Sequence, residues 1–177
     1  MNETEFIKTV KIRLQSHFDI QEEVRDDTGK KRIDMIITSD TQRFGIEFKQ
    51  NNRKRGEEMG RFIIQATGYL KLLWSGTKMP ILICPPLSWN YFVMSDEKRE
   101  IDGVTYHKDR HNANHEHHTF NGFLCPYNIG EIRTTTDYFP YKKGQTKMIY
   151  FAWCNKMVWA EKKKFNTKWY SEWMNRL

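Results

Sequence analysis

The sequence lacks several features that define whole classes of protein. Nowhere do about 18 apolar residues run together, so we expect no membrane-spanning helix and no membrane partner. Residues 1–5 carry neither a basic flank nor an apolar run, which argues against a secretory signal. There is also no internal repeat and no linker long enough to divide the chain. We therefore expect one domain over residues 1–177.

Cysteine is scarce as well. Cys84, Cys125 and Cys154 are odd in number and form no Cys-x-x-Cys pair. Small secreted domains held by disulfides ordinarily carry an even number of cysteines at regular spacings. The sequence therefore predicts three reduced thiols and a cytoplasmic, intracellular and reducing location.

Positive charge, in contrast, is present in excess and is unevenly placed. The net charge is +7, from 29 Lys and Arg against 22 Asp and Glu. Residues 141–177 hold nine Lys and Arg and two acids, so this segment alone accounts for +7. We term it the basic aromatic tail, because it also contains four of the six tryptophans: Trp153, Trp159, Trp169 and Trp173.

The basic aromatic tail has two interpretations. Lys and Arg neutralise phosphates while flat rings stack on bases, so the tail suits a nucleic-acid strand. Alternatively, a hairpin and a helix bury an aromatic face in the core and leave a basic face in solvent. Period-2 patterning by itself explains Trp153 and Trp159, which keeps this alternative open.

Hydrophobic spacing predicts the order of elements in the first half of the chain. Residues 3–18 and 57–74 carry apolar side chains at helical spacing. Between them, three runs rich in β-branched and apolar residues predict an antiparallel meander over residues 19–49. A short buried strand is expected at residues 80–84. The order is therefore helix, three strands, helix, strand.

The second half is predicted to be β-rich and to end in a helix. Residues 89–94 and 129–135 have the composition of strands, and residues 147–161 that of a hairpin. Residues 166–177 are expected to form the terminal helix. The predicted fold class is α/β.

Glu47-Phe48-Lys49, at the end of the third predicted strand, carries the strongest chemical signal. Strand alternation places Glu47 and Lys49 on one face, and the preceding strand can bring Asp34 beside Glu47. Two adjacent carboxylates form a hard oxygen site suited to Mg²⁺ or Mn²⁺, and a neighbouring lysine can orient or deprotonate a water. The plainer alternative is a surface acid at Asp34 and a cross-strand ion pair between Glu47 and Lys49.

This arrangement resembles the PD-(D/E)xK nuclease superfamily, with its restriction-endonuclease-like fold, over about residues 3–84. The resemblance implies a metal-dependent nuclease that hydrolyses phosphodiester bonds, with DNA as the expected substrate. It implies that Asp34, Glu47 and the backbone carbonyl of Phe48 bind the metal, and that Lys49 is the catalytic lysine. The sequence departs from the family's name in having Ile33 where the name has proline. Residues 85–177 form an extension beyond the predicted nuclease core.

The acid-x-Lys pattern alone is not specific, because Glu161-Lys162-Lys163 also satisfies it. The resemblance depends on the placement of Glu47 after the strand that carries Asp34 and before a helix. The helix that follows Glu47 contains Gln65 and Tyr69, similar to the Gln-x-x-x-Tyr motif of the RecB-like exonuclease branch. In that branch the Gln and Tyr lie one helical turn apart and face the active site and DNA. The alternative is a core tyrosine and a surface glutamine.

Several other residues are weaker candidates. By the same resemblance, Glu3 on the first helix is a further metal ligand, and the alternative is a frayed terminal residue. Glu23 on the first strand is a weaker candidate, because most strand acids are solvated. The basic cluster of Arg53, Lys54 and Arg55 is expected to contact the substrate.

A histidine-rich loop, residues 107–118, is the least explained feature. His111, His115 and His118 could share one helical face and bind a structural Zn²⁺. No paired ligands with zinc-finger spacing accompany them. A polar surface loop that touches phosphate when protonated is the favoured alternative.

Two classes of function are therefore carried forward. The first is a nuclease. A restriction-type nuclease of host defence or of a phage is a variant of this class that differs only in its substrate. The second is a non-catalytic nucleic-acid-binding module on the same fold. The intact set of Asp34, Glu47 and Lys49 favours the nuclease. Small nucleases of this fold often dimerise to cut both strands, so the resemblance is compatible with a homodimer, although no interface is readable in the sequence.

Overall fold

A computed structural model describes residues 3–48, 55–84, 98–101, 104–107, 124–134, 149–154, 156–161 and 167–177. These residues form three α-helices, nine β-strands and a 3-10 turn at Cys125–Tyr127. The helices are α1 (Glu3–Leu14), α2 (Arg55–Leu70) and α3 (Thr167–Met174). The strands are β1 (Asp19–Arg25), β2 (Arg32–Thr38), β3 (Arg43–Phe48), β4 (Ile81–Cys84), β5 (Lys98–Ile101), β6 (Val104–His107), β7 (Gly130–Thr134), β8 (Ile149–Trp153) and β9 (Lys156–Ala160).

Seven of the described strands form one sheet in the order β1-β2-β3-β4-β7-β8-β9. The β3–β4 and β4–β7 pairs are parallel, and the other neighbours are antiparallel. Ile81, Leu82, Ile83 and Cys84 of the central strand are fully buried. A strand buried on both faces reads as a continuous apolar run, which is the composition of β4. Because β4 of the predicted nuclease core pairs with β7 of the extension, the core and the extension share one sheet.

The two faces of the sheet pack against different helices. On one face, Val10 and Leu14 of α1 and Trp173 of α3 join a cluster with apolar residues of β2, β3 and β8. On the other face, α2 contributes Phe62, Ile63 and Ala66 to a cluster with Ile36, Ile81 and Ile83. The result is a three-layer α/β/α arrangement, in which each helix buries one apolar stripe.

The predicted order of helix, three strands, helix and strand is confirmed, and the α/β class with it. Both helices end four residues earlier than predicted. After α2, the amides of Lys71 and Leu72 donate to carbonyls three residues back, which tightens the last turn. The carboxylate of Asp27 then accepts hydrogen bonds from the amides of Ser75 (2.6 Å) and Gly76 (2.8 Å). These bonds fix the turn at Ser75 and Gly76, directly after the last residue of the predicted helix.

The C-terminal elements are also confirmed, at β7, at the β8–β9 hairpin and at α3. Residues 98–107 were not predicted as strands, yet β5 and β6 pair as a separate antiparallel hairpin. The predicted strand at residues 89–94 lies outside the described residues. In the described part of the chain, no helix is long and apolar enough to cross a membrane.

The basic aromatic tail buries most of its tryptophans. Trp153 and Trp173 are fully buried and Trp159 is 9% exposed. Trp153 stacks on Trp173 at 5.5 Å between ring centroids, and both indole N–H groups donate to oxygens of Asn128 at 3.0 Å. The interpretation in which these three rings stack on bases is therefore wrong. The alternative, in which the tail buries an aromatic face in the core, holds for these three rings.

The prediction of three reduced thiols is wrong for two of the cysteines. Cys125, in the 3-10 turn, and Cys154, between β8 and β9, form a disulfide across 29 residues of sequence. Cys84 is a free, buried thiol in β4. Tertiary contacts bring Cys125 and Cys154 together, and no short cysteine spacing in the sequence predicts this pairing. The cysteine count consequently no longer supports a reducing location, which stays a prediction.

Candidate active site

Asp34 and Glu47 lie at the same end of two neighbouring antiparallel strands. The ladder between β2 and β3 runs from Thr38 and Arg43 to Met35 and Ile46. Asp34 directly precedes Met35 and Glu47 directly follows Ile46, so both acids continue from the last rung. Glu47 also lies near the carboxyl end of β3, which is parallel to β4. Ligand sites in sheets with parallel strands commonly form at such carboxyl ends.

The two acids line one cleft of about 320 Å³. Glu47 is almost fully buried, at 5% exposure, while Asp34 is half-buried. We term this site the acid cleft. Its lining is Ile7, Glu22, Glu23, Asp34, Met35, Glu47 and Phe48.

Glu22 and Glu23 of β1 add two more carboxylates to the acid cleft. Glu22 forms an ion pair with Lys11 of α1, and Glu23 forms one with Arg32 at 2.7 Å. Glu23 also has a φ of +53°, which is uncommon for a residue other than glycine. The β1–β2 ladder passes from Glu22 to Val24 without a partner for Glu23, so β1 is irregular directly beside Asp34. Irregular strand positions of this kind often aim side chains into functional sites.

The backbone holds the Asp34 carboxylate in place. The amide N–H of Phe48 donates to Oδ2 of Asp34 at 2.8 Å. This bond ties the first acid to the residue that follows Glu47, and so sets the two carboxylates relative to each other. Phe48 lines the acid cleft, and its amide rather than its carbonyl makes this contact.

Glu47 is held by a side chain of α2. Gln65 of α2 donates from Nε2 to Oε1 of Glu47 (2.5 Å) and contacts the hydroxyl of Tyr69 (2.6 Å). The Tyr69 hydroxyl donates to the carbonyl of Arg32 at 2.7 Å. Gln65 and Tyr69 thus lie one helical turn apart, and Gln65 contacts Glu47 directly. Their predicted role at an active site and toward DNA stays a prediction.

Tyr69 is also a core residue, as its alternative interpretation held. Its side chain is 4% exposed, and its ring packs edge-on against Trp74. Burial, together with the nearby negative charges of Glu47 and Asp34, raises the pKa of Tyr69 to about 12 against the opposing hydrogen bond from Gln65. The phenol therefore stays protonated at neutral pH and acts as a hydrogen-bond donor.

Several predicted site residues lie outside the described residues: Lys49, Arg53, Lys54, His111, His115 and His118. Arg55 begins α2 and Glu3 begins α1, but their side chains are not among the described ones. Ile7 lies one turn after Glu3 and lines the acid cleft. Because residues four apart share a helical face, Glu3 stays a predicted ligand.

Glu131 of β7 is a residue that the sequence reasoning missed. It is fully buried, and Ile83 of β4 pairs with Glu47 on one side and with Glu131 on the other. The three side chains thus point to one face, and the Cα atoms of Glu47 and Glu131 lie about 10 Å apart across two strand spacings. Burial raises the pKa of the Cys84 thiol, and the charges of Glu131 and Asp34 raise it further. A glutamate between Ile129 and Ile132 in a predicted strand was the available signal.

The donor chemistry of the acid cleft fits a hard divalent cation in part. Asp34 and Glu47 supply carboxylate oxygens, the ligands that Mg²⁺ and Mn²⁺ prefer. Within the described ranges, no group of three His, Cys, Asp or Glu side chains is arranged to hold a metal. Mg²⁺ characteristically binds through one or two carboxylates and keeps several waters or substrate oxygens. Two protein carboxylates therefore suffice for that binding mode.

No family model, no curated protein and no solved structure matches this chain.

Proposed function

We propose that this protein is a metal-dependent nuclease that hydrolyses phosphodiester bonds, with DNA as its substrate. One observation carries the proposal: Asp34 and Glu47, from adjacent strands, converge on one cleft and are each held by a neighbouring group. The Phe48 amide holds Asp34 and the Gln65 amide holds Glu47. The restriction-endonuclease-like assignment of the core belongs to the same proposal, and the observed element order supports it.

The chain's own residues would prepare the acids for binding a cation. Each carboxylate accepts a hydrogen bond from a neutral donor, which orients it while leaving its negative charge in place. Mg²⁺ or Mn²⁺ held by Asp34 and Glu47 would supply activation of water and compensation of charge on the phosphate. The protonated Tyr69 hydroxyl keeps the Gln65 side chain in position through its contact at 2.6 Å.

Lys49 would provide the remaining chemistry. It follows directly on Phe48, so it is two residues from Glu47 along the chain. A positioned lysine can orient the attacking water, accept or pass a proton, and offset negative charge in the transition state. Such a group ordinarily contributes about 10²–10⁴-fold in rate.

The test is cleavage of supercoiled, linear, single-stranded and junction DNA, each with Mg²⁺, Mn²⁺ or EDTA. We expect cleavage with Mg²⁺ or Mn²⁺ and none with EDTA. Asp34→Asn and Glu47→Gln should abolish it, because both remove a charged ligand with little change in shape. Lys49→Ala should lower the rate by about 10²–10⁴-fold.

Asp40→Asn is the matched control for the acid variants. Asp40 is exposed in the turn at the opposite end of β2 and β3, so its replacement should leave cleavage unchanged. Thermal unfolding of each variant separates loss of chemistry from loss of fold. Full activity of purified Lys49→Ala, or cleavage that persists in EDTA, would contradict the proposal.

The non-catalytic nucleic-acid-binding module is the second candidate, and the charge of +7 within residues 141–177 supports it. Such a module would bind without a metal and without regard to Asp34 and Glu47. Tight DNA binding by the Asp34→Asn/Glu47→Gln double variant, together with no hydrolysis by the wild type on any substrate, would favour it.

A further inference from the structure

Next to the acid cleft, the exposed side of α2 forms a second concave surface of about 540 Å³. We term it the α2 groove. Arg61, Gln65, Gly68 and Leu72 lie along it at intervals of three or four residues, which makes one helical stripe. Ile64, Tyr69 and Lys31 complete the lining.

We propose that the α2 groove binds a single-stranded segment of nucleic acid and leads it to the acid cleft. This inference rests on the proposed nuclease function for its substrate, and it adds the strand state of the DNA and the residues that hold it. It extends the predicted contacts at Gln65 and Tyr69 to the rest of the groove, and it lies outside those predicted at residues 53–55 and in the basic aromatic tail.

Continuity with the acid cleft is the first support. Gln65 lines the α2 groove, and its amide donates to Oε1 of Glu47 at 2.5 Å. One side chain therefore separates the groove from the acid that is proposed to bind the metal. A strand lying in the groove would reach Asp34 and Glu47 without turning away from the surface.

Charge is the second support. The groove is lined by two exposed cations, Lys31 and Arg61, and by no acid among the described residues. Within the described part of the chain, neither of these side chains is engaged in an ion pair, whereas Lys11 and Arg32 beside the acid cleft both are. Cations available in this way suit phosphates, which would lie in the groove while the carboxylates lie beyond it.

Apolar exposure is the third support, and it decides the strand state. Ile64 is 75% exposed, the most exposed large hydrophobic side chain among the described residues. A Cβ added at Gly68 would meet nothing within 4 Å, so the floor between Ile64 and Leu72 is open. A flat base can bury this apolar surface, and only unpaired bases are free to do so. A duplex would instead present its sugar-phosphate backbone to these side chains.

The groove can be filled without disturbing the fold. Gly68→Met adds a side chain where there is open space, and replacing glycine inside a helix stabilises it. Gly60, also on α2, is equally open and does not line the groove, so Gly60→Met is a matched control. A second pair is Ile64→Glu and Ile12→Glu, because Ile12 is an exposed apolar residue on α1.

Binding is measured on the full chain in EDTA, by fluorescence anisotropy, with a labelled DNA oligonucleotide and the same sequence as a duplex. We expect the single strand to bind more tightly. Gly68→Met and Ile64→Glu should each weaken binding of the single strand by about tenfold. Gly68→Met should melt at or above the wild-type temperature. Gly60→Met and Ile12→Glu should bind as the wild type does. Arg61→Ala should reduce the slope of log K against log salt by about 0.7.

Several results would overturn the inference. Equal binding by Gly68→Met and the wild type would do so, and so would equal losses in the Gly60 and Gly68 variants, or a preference for the duplex. A dimer that Ile64→Glu dissociates without loss of DNA binding would assign the groove to a second copy of the chain. The nuclease proposal fails separately: groove-dependent binding without hydrolysis under any metal would refute that proposal and leave the groove in place.

Discussion

The basic aromatic tail and the α2 groove both combine cations with large apolar side chains, but they place them in opposite ways. In the tail, Trp153 and Trp173 are fully buried, and Lys156 lies 4.2 Å from the centroid of the Trp169 ring while pairing with Glu172. On α2, Ile64 is 75% exposed and Arg61 lies beside it in solvent. The tail buries most of its tryptophan surface in the core, whereas the groove leaves its apolar surface exposed.

This difference concerns how composition relates to binding. A basic segment rich in aromatic residues is compatible with a strand-binding surface and with a core element that has a solvated exterior. What separates the two is where the apolar atoms lie after folding, because a ring buried against other rings cannot stack on a base. Lys168 and Arg176 of the tail are exposed and can still add non-specific attraction for phosphates.

The largest expected effect is on stability in the tail. Trp173→Ala removes a fully buried ring and its hydrogen bond to the Asn128 carbonyl, so the free energy of unfolding should fall by about 3–5 kcal/mol. Chemical denaturation measures it. Ile64→Ala, the matched truncation on the exposed face of α2, should change stability by no more than about 0.5 kcal/mol. Similar stability losses in the two variants would break the comparison between buried and open apolar surface.

The disulfide is the next largest effect. Cys125 and Cys154 close a loop across 29 residues, so its removal should lower the free energy of unfolding by about 2–4 kcal/mol. The measurement is the denaturation midpoint with and without dithiothreitol. The Cys125→Ser/Cys154→Ser double variant should match the reduced wild type and should not respond to the reductant. Single-stranded DNA binding should be unchanged in this variant, since neither cysteine lines the α2 groove. An unchanged midpoint on reduction would contradict the disulfide's role.

The smallest expected effect is a pH dependence in the tail. The hydrogen bond from Lys156 lowers the pKa of Glu172 below its ordinary 4.5, and the charges of Lys156 and Arg176 add to this. Because the folded pKa lies below the unfolded one, the stability that Glu172 contributes is present above about 4.5 and is lost as the pH falls through the folded value. The stability difference between wild type and Glu172→Gln should therefore be small at neutral pH and smaller still at about pH 3. A difference that grows on acidification would be contrary to this sign.

Much of the fold was predictable because local patterns and tertiary burial agree in this chain. The apolar run of Ile81 to Cys84 predicts a strand buried on both faces, and β4 lies at the centre of the sheet. The end of α2 at Leu70 was missed, because apolar side chains recur at helical spacing as far as Leu73, whereas the carbonyl of Leu73 accepts from the amide of Asp27, which is distant in sequence. The β5–β6 hairpin was also missed, although Asp102-Gly103 is a two-residue turn signal and Val104-Thr105-Tyr106-His107 alternates apolar and polar residues. Its first strand, Lys98–Ile101, has only one apolar residue, and this weakened the strand pattern.

The candidate site was predictable in its acids and only partly in its supports. Asp34, Glu47, Gln65 and Tyr69 follow from strand alternation, helical spacing and a family resemblance, and the structure brings them together. The Phe48 amide that holds Asp34 was not predictable, because backbone hydrogen bonds to side chains depend on how a strand pair ends. Glu131 was missed for a related reason: a parallel pairing across β4 brings it onto the face of Glu47.

The sequence by itself determined the order of helices and strands and the α/β class, because these depend on periodicities within a few residues. With the family resemblance it also indicated Asp34 and Glu47. Only the tertiary structure decided that the tryptophans of the tail are core residues, that Cys125 meets Cys154, and that the exposed face of α2 is open beside Gln65. Burial and contact between distant segments depend on the packing of the whole sheet and its helices. The charge of the tail drew attention to one end of the chain, while packing left the open surface next to the acids.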